Sequence, residues 1–324
     1  MSYMYASNPD SPPASKQLSD TKAATSRVKN LEKVLVKVKV LGSAQDGGLP
    51  QIGCEKAHCQ RAWKHPQYKR LVTSLAILDL TNQKVFLVDA TPDIREQVHM
   101  IQTDGDLKLR KGKNPFDWIL LTHAHIGHYS GLVHLGFEAI STKELPVFCT
   151  EKMANFLKAN GPWSQLVDFK NIVLNEIQLD QIVQITPHIT ISAIPVPHRD
   201  EFSDTVGFMI RGPRKQLLYI PDIDHWKKWH HSLKELLQQV DIALLDGTFY
   251  SAEELPNRDI SKIQHPLITD TVKLLQDFVK THPVRIYFTH LNHTNLLFDE
   301  DGAKRRFIES NGFFIAEEGM EFEL

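Results

Sequence analysis

The chain has 324 residues, 42% of them hydrophobic and 23% charged, with a formal net charge of -2. That is enough length for a sizeable core, and a near-neutral balance without a long basic stretch argues against a protein that holds nucleic acid or a membrane surface by charge. There is no run of about 18 apolar residues and no secretory apolar stretch at the start, and three cysteines are too few for a disulfide scaffold. A cytoplasmic, reducing setting is therefore expected, with a removed leader and a periplasmic location left open.

Residues 1–33, rich in Ser, Pro, Asn, Asp and Lys, read as a flexible tail, and 34–324 as one folded domain. The domain opens with a β-rich run, Val34 to Leu41, followed by the turn-rich Asp46-Gly47-Gly48-Leu49-Pro50 and a loop carrying Cys54, His58 and Cys59. Leu71 to Leu80 and Lys84 to Val88 read as strands joined at Thr81-Asn82-Gln83, and Ile94 to about Ile101 as a helix capped by Asp or Thr. Trp118 to Leu121 is a short strand, Gly131 to Ile140 a helix, Pro146 to Thr150 a strand, and Glu151 to Asn160 a helix stopped by Gly161-Pro162. Ile172 to Ile194 alternates in short β-like pieces, and Val206 to Ile210 with Gln216 to Ile220 form a hairpin. Trp226 to Gln239 reads as an amphipathic helix, Asp241 to Leu245 as a buried strand, Ile268 to Val279 as a helix and Pro283 to Phe288 as a strand, before a strand-rich tail from Gly312. A strand-rich stretch followed by alternating strands and helices thus arises twice.

The densest chemistry is Thr122-His123-Ala124-His125-Ile126-Gly127-His128. Alternation along an extended segment sends 123 and 125 to one side, and a following helical turn can return 128 over the same spot. Each histidine alone is an ordinary surface residue at a strand end; three after an apolar strand point to a metal, because neutral imidazole suits zinc and other first-row ions. The same device recurs, with a short apolar strand delivering a His or Asp at its end: Asp89, His123, His198, Asp222, Asp246 and His290. Singly, Asp89 is equally a helix cap, His198 a loop residue, Asp222 a turn former and His290 a core histidine.

Taken in order, these residues resemble the metallo-β-lactamase superfamily, in the branch that includes the pyrroloquinoline-quinone biosynthesis protein B. That branch is suggested by the stretches 41–51, 245–249, His265-Pro266 and 292–295. The resemblance implies an α/β fold, an αββα sandwich of two central sheets flanked by helices. It implies one metal on His123, His125, His198 and Asp222 and a second on His128, His290 and the shared Asp222, with Asp222, His128 and His290 serving catalysis. Where the family has Asp between the second and third clustered histidines, this chain has Gly127. A weaker second site or a single-metal centre is expected, unless Asp200, Glu201, Asp204 or Asp224 substitutes. Cys54, His58 and Cys59 have the composition of a structural zinc site, which needs one more donor, His293 or His65.

The implied activity is hydrolysis of a small ester, phosphodiester, lactone or related substrate by a metal-bound hydroxide, with one or two zinc ions and iron or manganese as alternatives. The rival readings are an iron-dependent oxygenase in the making of a peptide-derived cofactor and a metal-binding protein disabled by the missing Asp. The partner expected is a small-molecule substrate, with no nucleic acid and no membrane; a homodimer stays open.

Overall fold

The computed structural model describes residues 35–324 except 104, 106–113, 257–258 and 260–261; the expected tail, and the first residue of the opening strand, lie outside the described residues. Fourteen strands are described: β1 (Val36–Gly42), β2 (Ser74–Asp79), β3 (Lys84–Val88), β4 (Trp118–Leu120), β5 (Leu145–Cys149), β6 (Ile172–Glu176), β7 (Ile182–Thr186), β8 (Ile189–Val196), β9 (Thr205–Arg211), β10 (Gln216–Ile220), β11 (Ile242–Asp246), β12 (Arg285–Thr289), β13 (Phe313–Ile315) and β14 (Glu321–Glu323). They form two seven-stranded sheets, ordered β14-β1-β2-β3-β4-β5-β6 and β13-β12-β11-β10-β9-β8-β7.

The two sheets follow one plan. β1, β2 and β3 pair antiparallel, then β3 through β6 run parallel. β8, β9 and β10 pair antiparallel, then β10 through β13 run parallel. Parallel strands buried on both faces read as continuous apolar runs, which is why Leu217 to Ile220 and Ile242 to Leu245 show no alternation.

The helices are α1 (Ala57–Lys64), α2 (Ile94–Gln102), α3 (Ile126–Tyr129), α4 (Glu151–Ala159), α5 (Trp163–Asp168), α6 (Leu233–Leu237), α7 (Ile268–Val279) and α8 (Ala303–Ser310). On the outer face of the first sheet, Ala76, Leu78, Leu87 and Ile119 pack with Ile94, Met153 and Leu157 of α2 and α4. Leu218, Leu245, Ile286 and Phe288 do the same with Ile268, Val272 and Leu275 of α7. The sheets meet directly, Tyr287 of β12 packing on Phe322 of β14 with ring centroids 4.9 Å apart. The αββα sandwich expected from the resemblance is therefore the fold.

Three expected elements come out differently. Trp226 to Gln239 is not one helix but a 3-10 turn, Trp226–Lys228, and the short α6. The break follows from two anchored indoles, Trp226 Nε1 donating to Thr271 Oγ1 and Trp229 Nε1 to Pro195 O, after which Ser232 caps a new start by accepting from Glu235 N. The helix expected at 131–140 is a 3-10 segment, Ser130–Leu135. Gly131 there sits so close to Thr91 that a Cβ would fall 1.9 Å from its carbonyl oxygen. Conversely, His58 and Cys59 ride on α1 rather than on a loop.

Candidate metal centre

The strand ends that deliver chemistry all face one seam between the sheets. Val206 N donates to Thr122 O across it, Ala124 N donates to Ser203 Oγ, and the Thr73 and Thr289 hydroxyls lie 2.8 Å apart. His123, His198, His128, Asp222 and His290 are buried there. His123, His125 and His198 have ring nitrogens within 4.8 Å of one another, and a second set joins His123 and His128 to Asp222. Asp222 is the common member: its Oδ2 lies 3.2 Å from His128 Nε2 and 3.3 Å from His290 Nε2, and its Oδ1 3.6 Å from His198 Nε2. The structure thus brings together His123, His125, His128, His198, Asp222 and His290, the residues that the resemblance implied for the centre.

Three of the imidazoles are held from behind. His123 Nδ1 lies 3.0 Å from Thr122 Oγ1, His128 Nδ1 2.7 Å from Asp89 Oδ2, and His290 Nδ1 3.0 Å from Thr248 Oγ1. Their Nε2 atoms, with His198 Nε2 and Asp222 Oδ2, are buried and make no hydrogen bond within the protein. Buried polar atoms are ordinarily paired, so five inward-facing orphans on three imidazoles, a fourth imidazole and a carboxylate fit a cation at their centre. His125 stands at the rim of the set, with Nε2 3.4 Å from Glu201 Oε2 and 3.2 Å from Arg199 Nη2.

Electrostatics agree with that fit. Burial pushes His123 well below the usual imidazole range, brings His125 down to about 4 and lowers His290, so these rings are neutral donors at pH 7. Burial acts on His128 in the same direction, but the carboxylates of Asp89 and Asp222 outweigh it and hold the ring well above its ordinary value. Burial would raise Asp222, yet His290, His128 and His123 keep it an anion, well below the usual carboxylate range.

Two participants were not singled out by the spacing. His265 Nδ1 lies 2.8 Å from Asp246 Oδ2 and 3.9 Å from Asp222 Oδ1, and it shares a donor set with His198 and Asp222. It follows no strand, so the strand-end rule passes over it. Asp46 is the other: its Oδ1 accepts from Gly127 N at 2.9 Å and forms a donor set with His128 and His290. Its carboxylate thus stands beside the two imidazoles and Asp222 expected at the second position. None of the four acids proposed as substitutes stands at Gly127: Glu201 faces His125, Asp224 lies 3.3 Å from His198 Nδ1, Asp204 accepts from Thr150, and Asp200 is exposed.

A cleft of about 500 Å³ adjoins the centre, lined by Gln45, Arg199, Phe249, Ile263 and His265 among others. Apart from it, Cys54, His58, Cys59 and His293 bring four donor atoms within 4.8 Å of one another. The fourth donor is thus His293; His65 instead packs edge-on to Tyr68. His58 Nε2 is orphaned, and burial lowers His58 and brings His293 to about 4, leaving both neutral. Two thiols and two neutral imidazoles are the composition of a closed tetrahedral zinc site.

Comparison with known proteins places this arrangement. The coenzyme PQQ synthesis protein B of Methylobacterium sp. (strain 4-46) is 25% identical over 306 residues, covering 88% of this chain and 99% of that protein. The crystal structure of Zn(2+)-bound PqqB from Methylobacterium extorquens superposes with a TM-score of 0.75 at 24% identity, over 89% of this chain and all of that one. A diphosphatase of the PhnP family superposes with a TM-score of 0.64 at 21% identity, over 90% and 97%. Residues 84–291 match the family described as the beta-lactamase superfamily domain, and it is to this superfamily, with the αββα fold, that the chain belongs.

Proposed function

We propose that the protein is a metal-dependent hydrolase of a small ester, phosphodiester or lactone, with zinc held by His123, His125, His198 and Asp222. The observation that carries this reading is the set of orphaned, buried nitrogens and carboxylate oxygen gathered around Asp222. A divalent ion held by these residues would polarise the scissile bond and bring the pKa of water down towards neutrality. The protein's own share is orientation and proton handling. Asp222 remains an anion able to accept a proton from the attacking water, and the buried His128 and His290 confine the reacting oxygen on its other side. His265, anchored through Nδ1 on Asp246 and lining the cleft, is placed to return a proton to the leaving oxygen. Arg199 and Lys262 line the cleft, each paired with a carboxylate, Arg199 with Glu201 and Lys262 with Asp259, so the charge of the cleft selects no one member of the panel.

The test is joint loss. His123→Ala and His198→Ala are expected to remove metal from the centre and turnover on phosphodiester and lactone panels together, and metal-free protein that still turns over would refute the reading. The relatives named coenzyme PQQ synthesis protein B support a place in the synthesis of a cofactor, and a second reading of the same site is an iron-dependent oxygenation in such a synthesis. Oxygen uptake with ferrous iron, and none with zinc, would select it.

A further inference from the structure

Gly127 replaces a carboxylate of the family pattern, and its backbone does not call for glycine: it lies in α3 and is not among the residues of positive φ. Space is what calls for it. A Cβ built on Gly127 would fall 2.3 Å from Asp46 Oδ1 and 2.7 Å from Asp46 Cα, closer than side-chain carbons approach other atoms. A carboxylate borne at 127 and the Asp46 loop in its present position exclude each other.

Asp46 occupies the place so cleared. Its Oδ1 accepts from Gly127 N and lies 3.8 Å from His128 Nε2. Facing it are His128 Nε2 and His290 Nε2, fully buried and without hydrogen bonds. The loop is tied to the strand end that carries His290: Leu291 N donates to Ser43 O at 2.8 Å and Gln45 N to Leu291 O at 2.9 Å. Gly48, at φ +64, closes the turn by donating to Gln45 O at 2.7 Å, a conformation that glycine adopts without strain.

We infer that Asp46 is the carboxylate ligand of a second divalent ion, held with His128, His290 and the shared Asp222, and that Gly127 is the space that admits it. The anionic donor has moved from the histidine motif to a loop 81 residues earlier, so a motif that reads as a one-ion centre forms a two-ion one. This rests on the proposed metal-dependent function.

The test is a zinc titration of the whole chain combined with anomalous diffraction from zinc-saturated crystals, on wild type, Asp46→Ala, Asp46→Asn and the double variant Asp46→Ala/Gly127→Asp. Wild type is expected to hold an ion on the Asp46 side. Asp46→Ala should weaken that ion by more than about 100-fold, beyond the loss caused by removing a supporting contact, while the ion on His123, His125 and His198 stays. Gly127→Asp on the alanine background should not restore it, because the Cα of residue 46, 2.7 Å from a Cβ at 127, stays in place. Asp46→Asn, which keeps the shape and can still accept from Gly127 N, should weaken the ion with the melting temperature of the zinc-free protein unchanged, separating lost charge from a collapsed loop. An undiminished second ion in Asp46→Ala, or wild type filling only the His198 side in excess zinc, would overturn the inference. Wild type with no ion at the centre would overturn the functional reading beneath it.

Discussion

Asp89 and Thr248 hold the two imidazoles that approach Asp222 Oδ2, His128 and His290 respectively. Asp89 does so from a left-handed backbone, φ 66, and His290 is itself at φ 59. Such conformations are uncommon for residues other than glycine and persist where the surroundings over-determine them. Asp89 earns its place through its carboxylate, which also accepts from Thr122 N and Thr122 Oγ1. Fixing the ring's tautomer and aim in this way strengthens a ligand, so Asp89→Asn is expected to lower metal affinity by about 10- to 100-fold. Calorimetric titration reads the change; an unaltered affinity would show that Asp89 only caps its turn. At this scale the sequence is informative where a residue follows an apolar strand, as Asp89, His123, Asp222 and His290 do. It is silent on Asp46 and His265, whose places depend on a contact across 81 residues and on packing against Asp246.

α1 shows what a local element can and cannot disclose. Its composition, Ala-His-Cys-Gln-Arg-Ala-Trp-Lys, gives it little apolar surface, with only Cys59 and Ala62 buried. Zinc on Cys54, His58, Cys59 and His293 would supply the anchorage that packing does not. Burial raises the Cys59 thiol to about 11, partly offset by the Gln51 N–H to its sulfur. The ion must therefore displace a thiol proton, while the histidines are already neutral. Zinc affinity at this site is expected to rise with pH between 6 and 8, by about tenfold per unit for each thiol proton released. Cys59→Ser should lower affinity and increase amide exchange in 57–64; a pH-independent affinity would contradict four-donor binding. The ligand types were legible in the sequence, but the helix was not, because eight residues with two buried positions show no apolar period. The reverse error at 226–239 has the same root: a helical period was present, and two tertiary indole bonds overrode it.

For the whole molecule, the repeated plan of the sheets explains why ligands from distant parts of the chain meet. β3 and β10 occupy matching places in their sheets, and Asp89 and Asp222 follow them; β4 leads to His123, β11 ends at Asp246 and β12 leads to His290. That much was readable, since a strand-rich stretch followed by alternating strands and helices occurs twice. Which sheet each terminal strand joins was not: β13 and β14 lie within one short tail yet belong to different sheets, a choice made by long-range pairing. Because the proposed ligands come from both sheets, an ion at the centre would clasp the halves together. Zinc at 100 times its dissociation constant is expected to add about 2.7 kcal/mol to unfolding. A chelator should reverse the rise in melting temperature, and His123→Ala should lose the part due to the centre.

The most direct measurement is a crystal structure of the zinc-saturated protein recorded at the zinc absorption edge. The account predicts anomalous peaks bounded by His123, His125 and His198 on one side and by Asp46, His128 and His290 on the other, with Asp222 between them. Peaks absent from this seam, or His198 and Asp222 turned away from His123 while zinc binds elsewhere, would contradict it.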